Sequence, residues 1–452
     1  MSTHHEISAD PLPPFPGYSQ HLAKHTDELR QTSKFDVIDR QGAPEELVAE
    51  LERCVDSLGD EITDMSHFLH AHPELGFEEY EAQAQFKERV EAHGVPVQTG
   101  VYGVQTAFEA TLSNGDGPTI AIISEYDALP EIGHACGHCV MGSAGMGGFL
   151  GLVELAKKNP QAFHGTVKFI GTPAEEGKSG KAVMIQGGAF KPDDIDAAIM
   201  FHSYGYDLAN QTWLGRRTLT VHFHGVAAHA SSQPWMGRNA LDAAVLAYQG
   251  LAVLRQQIPP EDRIHEIITD GGTRQSIITE HSTMKFYIRS KFPDTLRDLS
   301  QRVENVINGA ALMTGCGVEI IWDESPATLP VRSNHELESR WVIAQRRRGR
   351  DPLPHGVVSE TLAASTDFGN VSYRVPGIQP LVKVSAEDVA LHTRAMAQAA
   401  GSPQGDKAAI DGAFGLAAVA LDFLCDADLR TAVRDEFESD GGYMDAQELL
   451  GA

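Results

Sequence analysis

The chain has 452 residues, more than one hydrophobic core normally supports, and with 42% hydrophobic and 22% charged residues it reads as an ordinary globular protein of two domains, or of one domain with a large insertion. Acidic residues outnumber basic ones 62 to 36, a formal net charge of −26, and such a surface repels phosphate backbones and anionic headgroups, which argues against nucleic-acid and membrane partners. No unbroken apolar run of about 18 residues is apparent and the N-terminus lacks a basic-then-apolar secretory pattern, so the expected home is the cytoplasm, where an odd, sparse set of 5 cysteines stays reduced.

Residues 1–44 are polar and proline-rich around Pro11 to Pro16 and read as a loosely packed N-terminal arm. From Ala43-Pro44, Leu47, Leu51, Val55 and Leu58 recur at helical spacing, continuing through Ile62, Met65, Phe68 and Leu69 until His72-Pro73-Glu74. Ile120 to Ile123 is a short apolar run typical of a strand buried on both faces, followed by the polar Ser124-Glu125-Tyr126-Asp127. Gly142 to Gly148 leads into Phe149 to Val153, a small-residue helix able to press against a sheet; without Gly-Lys-Ser or Gly-Lys-Thr it is no phosphate loop. Thr166 to Gly171 is a second buried strand delivering Glu175 and Glu176, and Ala197 to Phe201 a third delivering His202. Polar groups just past the carboxyl ends of successive strands mark the active edge of an open α/β sheet.

The texture changes at Gly215. Thr218 to His224, Ile264 to Ile268, Ser282 to Arg289 and Val318 to Trp322 read as strands, and Asn239 to Gln257 and Thr295 to Met313 as helices. This β-α-β-β-α-β order is the ferredoxin-like split pattern, suited to a dimerisation or lid module. The predicted fold is therefore α/β: a catalytic domain (45–214 and 327–452) with a mostly parallel central sheet flanked by helices, interrupted by a ferredoxin-like α+β domain (215–326). Arg346 to Arg350 reads as a solvated surface turn.

The chemistry lies in Cys136-Gly137-His138, Glu175-Glu176, His202 and His392. Thiolate, imidazole and carboxylate hold divalent transition metals, and an adjacent second carboxylate is what a metal-assisted hydrolase uses to shuttle protons. Singly, each has an ordinary explanation: a buried thiol, a solvated acidic pair, a satisfied core histidine. Together they follow buried-strand signatures in one orientation, which chance explains poorly. A zinc-protease His-Glu-x-x-His is absent, since His335-Glu336-Leu337-Glu338-Ser339 lacks the second histidine, and there is no Gly-x-Ser-x-Gly elbow.

His70-Ala71-His72-Pro73-Glu74-Leu75-Gly76-Phe77-Glu78-Glu79, Asp127-Ala128-Leu129-Pro130, Ala135-Cys136-Gly137-His138 and Pro173-Ala174-Glu175-Glu176-Gly177 resemble the di-metal aminoacylase and carboxypeptidase family, over about residues 45 to 425. They are most similar to its amidohydrolase branch, with hippurate, indole-acetyl-amino-acid and aminobenzoyl-glutamate hydrolases. Ser365-Thr366-Asp367-Phe368 and His392-Thr393-Arg394 look most like the aminobenzoyl-glutamate hydrolase and β-alanyl-dipeptidase-like group. The resemblance implies two divalent metal ions per subunit held by Cys136, His138, Glu176, His202 and His392, with Glu175 as general base and Asp127 as a carboxylate orienting a ligand. Zinc is the first choice for a thiol-containing set, while manganese, cobalt and nickel also fit. It also implies a homodimer in which His229 reaches the partner's active site to stabilise the oxyanion, an interaction worth about 2–4 kcal/mol, and substrate contacts from Asn239, Arg274, Ser276, Arg289 and Asp367.

The chain departs from the family pattern in three places. Cys139 follows the Cys-Gly-His triplet where relatives carry an aspartate or asparagine, and is read as a buried thiol rather than a third soft ligand. Gly271-Gly272-Thr273-Arg274-Gln275-Ser276 places Ser276 where an asparagine would contact substrate; Arg274 or Arg289 can compensate by pairing with a substrate carboxylate, although Arg289 at a strand end is equally compatible with a structural role. The N-terminal arm has no counterpart. The expected activity is hydrolysis of the amide of an N-acyl or N-aroyl amino acid or a small dipeptide; the alternatives are a dipeptidase acting on free dipeptides and a non-catalytic subunit of the same fold.

Overall fold

The computed structural model describes residues 11–451. Its strands are β1 (Val97–Thr99), β2 (Phe108–Asn114), β3 (Thr119–Ser124), β4 (Gly165–Gly171), β5 (Ala197–Ile199), β6 (His202–Tyr204), β7 (Gly215–His224), β8 (Arg263–Asp270), β9 (His281–Ser290), β10 (Gly317–Trp322), β11 (Gly377–Ile378) and β12 (Leu381–Lys383). Six of them form the central sheet in the order β1-β2-β4-β3-β5-β11. The strands β4, β3, β5 and β11 are mutually parallel, with Ile122 opposite Phe169 on one side and Ile199 on the other, while β1 and β2 add an antiparallel edge. Ile120 to Ser124 are buried throughout, as a strand covered on both faces requires. The mostly parallel sheet expected from the sequence is therefore present.

The covering helices explain the glycine-rich segment. His138–Lys158 packs along Pro403–Cys425, and a Cβ on Gly148 would sit 2.8 Å from the carbonyl oxygen of Ala413, so only glycine permits the approach. These two helices are long and apolar enough to cross a membrane, although Glu154 interrupts one and Asp411 and Asp422 the other; 94% and 89% of their apolar windows are buried inside the fold, so the core absorbs their hydrophobicity.

The segment from β7 to β10 has its own core of Leu219, Val221, Phe223, Met284, Phe286, Ile288, Leu296 and Val303. Its sheet runs β10-β7-β9-β8, antiparallel throughout, and the helices Ala240–Leu254 and Pro293–Thr314 cover one face. The alternation of Leu219, Val221 and Phe223 toward those helices leaves Arg216, Thr218 and Thr220 on the opposite face.

Four local readings change. A helix occupies Gly17–Thr32 where no periodicity was legible, and the following segment is pinned rather than loose: Phe35 is buried, Arg40 pairs with Glu336 at 2.7 Å and the Ala43 amide donates to Asp422 at 2.7 Å. The first long helical pattern is two helices, Glu45–Ser57 and Gly59–Ala71, because Leu58 (φ −95°, ψ 5°) turns the chain. The arginine run is no solvated turn. Arg348 meets Glu52 at 3.1 Å, Asp56 at 2.9 Å and Asp411 at 3.1 Å, and Arg350 meets Asp411 at 2.7 Å and Asp207 at 3.0 Å, so the basic segment following the helix His335–Arg347 is tied to carboxylates of the helices Glu45–Ser57 and Pro403–Cys425 and to Asp207. Finally, the third strand ends at Ile199, and His202 opens β6, which pairs with β12 in a separate two-stranded sheet.

Candidate active site

The loops following the parallel strands meet above their carboxyl ends. Glu125 and Asp127 follow β3, Glu175 and Glu176 follow β4, and His202 follows β5. Cys136 and His138 straddle the start of the helix His138–Lys158, and His392 precedes the helix Arg394–Ala400. Their loops hold unusual backbone: Ala174 (φ 61°) and His392 (φ 60°) are left-handed, a conformation costing about 1–2 kcal/mol in a residue with a Cβ. Each is tied in place. Ala174 N–H donates to Glu79 Oε1 at 2.9 Å and His392 N–H donates to the Ala135 carbonyl at 2.9 Å. Gly137 (φ 79°) lies where a Cβ would come within 2.5 Å of Ser203 Cβ, so the bend between Cys136 and His138 accepts no side chain.

The five sequence-predicted ligands converge. Cys136, His138 and His202 bring ligand atoms within 4.8 Å of one another, as do Cys136, Glu176 and His392, and His138, Glu175 and Glu176. Asp127 orients two of them: its Oδ1 accepts from His138 Nδ1 at 3.1 Å, alongside its own carbonyl at 2.9 Å, and its Oδ2 accepts from the Glu176 amide at 2.8 Å. Proton-bearing Nδ1 leaves His138 Nε2 with a lone pair facing inward, buried and without any hydrogen-bond partner. His202 repeats the arrangement, with Nδ1 donating to the Ser203 carbonyl at 2.8 Å and Nε2 lying 3.5 Å from Cys136 Sγ. Glu176 Oε1 has only the ill-aimed His392 Nε2, at 3.4 Å. Buried lone pairs converging from thiol, imidazole and carboxylate, without donors to satisfy them, fit divalent cations.

His202 is ready for that fit, whereas the Cys136 thiol would have to give up its proton to a bound cation. Burial lowers His202 to about 4, so its imidazole is neutral and free to ligate. Burial also pushes the Cys136 thiol well up, and Glu176 adds to it. Burial, then Glu125 and Glu176, raise Glu175, giving this carboxylate the proton affinity that a general base needs. In Glu176 the contact with His392 and the charge of His138 outweigh burial and hold the carboxyl below its ordinary value. Cys139 lies outside every ligand group; it is buried and its thiol is pushed up by burial to about 12.

Other predicted residues fall elsewhere. Asp367 borders the cavity and is paired with the fully buried Lys181, whose Nζ lies 2.7 Å from Asp367 Oδ1 and also contacts Glu125. Asn239 caps the helix Ala240–Leu254 by accepting from the Leu241 amide at 3.1 Å and does not line the cavity of its own chain. Arg274, Ser276 and His229 lie on exposed loops of the inserted domain, with Ala230 N–H bonded to the Ser276 carbonyl at 3.0 Å, and none lines the cavity of its own chain. Arg289 does line it. The cavity, about 520 Å³, is walled by Cys136, Glu175, Glu176, His202 and His392 on the catalytic side and by Arg216, Tyr287 and Arg289 from the inserted sheet. Lys181, Arg216 and Tyr287 escaped the sequence reading. Lys181 sits five positions beyond Glu176 and gave no signal; Arg216 and Tyr287 keep the alternation of β7 and β9 and fall on the face away from the helices, where two such bulky groups could have been noticed.

A family model described as Peptidase family M20/M25/M40 matches residues 121–399. Among similar proteins, the Xaa-Arg dipeptidase of Mus musculus is 34% identical over 393 residues, covering 85% of this chain and 90% of the relative. One of the p-aminobenzoyl-glutamate hydrolase subunits of Escherichia coli is 27% identical over 73% of this chain and 82% of its own length. A solved dinuclear metal-binding peptidase of Bacillus subtilis superposes with a TM-score of 0.61 at 20% identity, over 81% of this chain and 99% of that one.

Proposed function

We propose that this chain, which belongs to Peptidase family M20/M25/M40, hydrolyses the amide of N-acyl or N-aroyl amino acids or small dipeptides at the site of Cys136, His138, Glu175, Glu176, His202 and His392. It is a metal-dependent hydrolase of small amide substrates. The observation that carries the site assignment is the buried, partnerless His138 Nε2 facing carboxylates and a thiol across less than 5 Å, with Glu175 beside it.

Cys136, His138, Glu176, His202 and His392 would hold two divalent ions, zinc first and manganese, cobalt or nickel as alternatives, which when bound acidify water and polarise a carbonyl. Glu175 does the proton work. Its carboxylate accepts a proton from the attacking water as hydroxyl adds to the amide carbon, then delivers it to the nitrogen as the carbon–nitrogen bond breaks, so that one water becomes the new carboxylate and amine. Asp127 keeps His138 in the tautomer that presents Nε2 and holds Glu176 in place through its amide.

The cavity of a single chain has no donor from the loops carrying His229 and Ser276, although both are exposed on the inserted domain. This supports a homodimer in which His229 of the partner subunit reaches the reacting carbonyl. Five free cysteines favour a reducing compartment such as the cytoplasm.

The decisive experiment is Glu175→Gln in metal-loaded protein, assayed by amine release from N-acyl amino acids. Loss of at least a thousandfold in kcat with bound metal retained is expected; hydrolysis at the wild-type rate refutes the assignment. A second reading, a dipeptidase requiring a free amino terminus, is favoured by the likeness to the mouse Xaa-Arg dipeptidase, and comparing acylated with free dipeptides separates the two.

A further inference from the structure

Glu79 is fully buried, yet its side chain does nothing for the helix it begins. It is the N-cap of the helix Tyr80–Ala92, where a side-chain oxygen commonly accepts from the first free amides, and it makes no such bond. Glu74 takes that duty, with Oε1 accepting from the Glu81 amide at 3.0 Å and Oε2 from the Ala82 amide at 2.8 Å. The Glu79 carboxylate turns the other way and its Oε1 accepts from the Ala174 amide at 2.9 Å, 95 positions along the chain. Burying a carboxylate is costly. The bond gained here is to the backbone just ahead of the acidic pair.

That amide belongs to a residue under strain. Ala174 is left-handed (φ 61°), a region that favours glycine, and it immediately precedes Glu175 and Glu176. Side chains of consecutive residues ordinarily point apart, but Glu175 Oε2 and Glu176 Oε1 both lie 4.0 Å from His138 Nε2. The bent backbone, with Gly177 also left-handed (φ 78°), lets two neighbouring carboxylates serve one site. The turn carrying Glu79 is built against it: a Cβ on Gly76 would come within 3.0 Å of Ala174 Cα, and Lys178 Nζ donates to the Gly76 carbonyl at 2.6 Å. The same turn holds the adjoining loop, since the Glu74 carbonyl accepts from the Ala128 amide at 2.8 Å, next to Asp127.

We propose that Glu79 is a positioning residue for hydrolysis: its carboxylate holds Ala174 left-handed so that Glu175 and Glu176 reach the same ligand set. A strained conformation persists only where its surroundings over-determine it, and this tether is among the contacts that do so. The inference rests on Glu175 as general base and Glu176 as a metal ligand, but the tether is also measurable through metal affinity, without turnover.

The test is a double-variant cycle. Glu79→Met keeps the length of the side chain without an acceptor and leaves the buried Ala174 amide unpaired. Glu79→Gln keeps an acceptor, and Ala174→Gly removes the strain, since glycine takes a positive φ without a tether. In zinc-loaded protein assayed by amine release from N-acetyl amino acids, Glu79→Met should lower kcat at least tenfold with KM changed less than threefold, and Glu79→Gln should retain at least a third of kcat. In the Ala174→Gly background Glu79→Met should cost less than threefold, because two residues acting through one strained peptide are not additive. A carboxylate that only supports the fold would show the same loss in both backgrounds; that result overturns the inference, as does wild-type kcat in Glu79→Met. Zinc affinity, measured by chelator competition, should follow the same pattern, weakened at least fivefold by Glu79→Met alone and less than twofold beside Ala174→Gly. If Glu175→Gln hydrolyses at the wild-type rate, the general-base reading fails and the affinity cycle alone decides, equal weakening in the two backgrounds overturning the tether. Folding of Glu79→Met only beside Ala174→Gly upholds the inference. Failure to fold in both backgrounds overturns it, because a tether demanded by a left-handed alanine is dispensable where glycine stands.

Discussion

Replacing Lys181 with Met tests the charge network beneath the candidate metal ligands. Lys181, Glu125 and Asp367 are at most 1% exposed, and the single ammonium contacts both carboxylates, Asp367 Oδ1 at 2.7 Å. Its backbone amide donates to Asp367 Oδ2 at 2.8 Å as well. Glu125 and Asp367 also lie with Glu175 in a group whose carboxylate oxygens are within 4.8 Å of one another, so removing the cation leaves uncompensated negative charge in a space water does not reach. Breaking a buried pair by deleting one partner costs roughly 3–5 kcal/mol, a fifth or more of the 5–15 kcal/mol that typically holds a protein folded. Urea unfolding of Lys181→Met, followed by tryptophan fluorescence with Trp341 in the core, should show a loss of that size. The triple variant Lys181→Met, Glu125→Gln, Asp367→Asn removes charge and counter-charge together and should recover most of it. A loss below about 1 kcal/mol in the single variant, or a triple variant no better than the single one, would refute the reasoning, because a solvated pair contributes no more than that.

Cys136→Ala removes a thiol shared by two ligand groups, and elemental analysis should find at least half the bound metal gone. Gly137→Ala places a Cβ 2.5 Å from Ser203 Cβ at a φ of 79°, so metal content and urea midpoint should both fall, the backbone alone costing about 1–2 kcal/mol. Asn239→Ala removes a helix cap and should destabilise the inserted domain by about 1 kcal/mol in denaturant melts without altering metal content. Glu79 supplies a pH-dependent contribution: burial, reinforced by the Asp127 charge, raises its carboxyl from 4.5 to about 7, so the folded state holds its proton more tightly than the unfolded chain does. Stability from this group is greatest below pH 4.5, falls as pH climbs toward 7 and is level above it; Glu79→Gln should flatten that slope in urea midpoints measured from pH 4 to 8.

Periodicity made most of this architecture readable. The apolar run Ile120 to Ile123 and the alternation in β7 and β9 report burial directly, because a strand's environment repeats every one or two residues. The convergence of the candidate ligands was readable for a related reason: parallel strands deliver the residues after them to one rim, so bringing Glu176 and His202 together needed only their strands to be recognised. What stayed hidden depends on partners far away in sequence. The Gly17–Thr32 helix has a weak apolar pattern, and its neighbourhood is secured by polar ties such as Arg30 to Glu387 at 2.8 Å, 357 positions away. Arg346 to Arg350 looked solvated because composition cannot show that Glu52, Asp56 and Asp411 stand opposite.

The same limit governs substrate choice. Asp367 and Arg289 were both candidates for touching substrate, and nothing local distinguishes a charge that is already paired from one that is not. Folding separates them: Asp367 receives Lys181, while Arg289 receives a second arginine. A buried charge satisfied by its own chain is structure, and one left open toward a cavity is a demand on the ligand. The catalytic rim is assembled from loops after the central strands, whereas the unmet charges come from the inserted sheet, which carries none of the ligands. The candidate metal ligands and these two arginines thus reside on separately cored bodies.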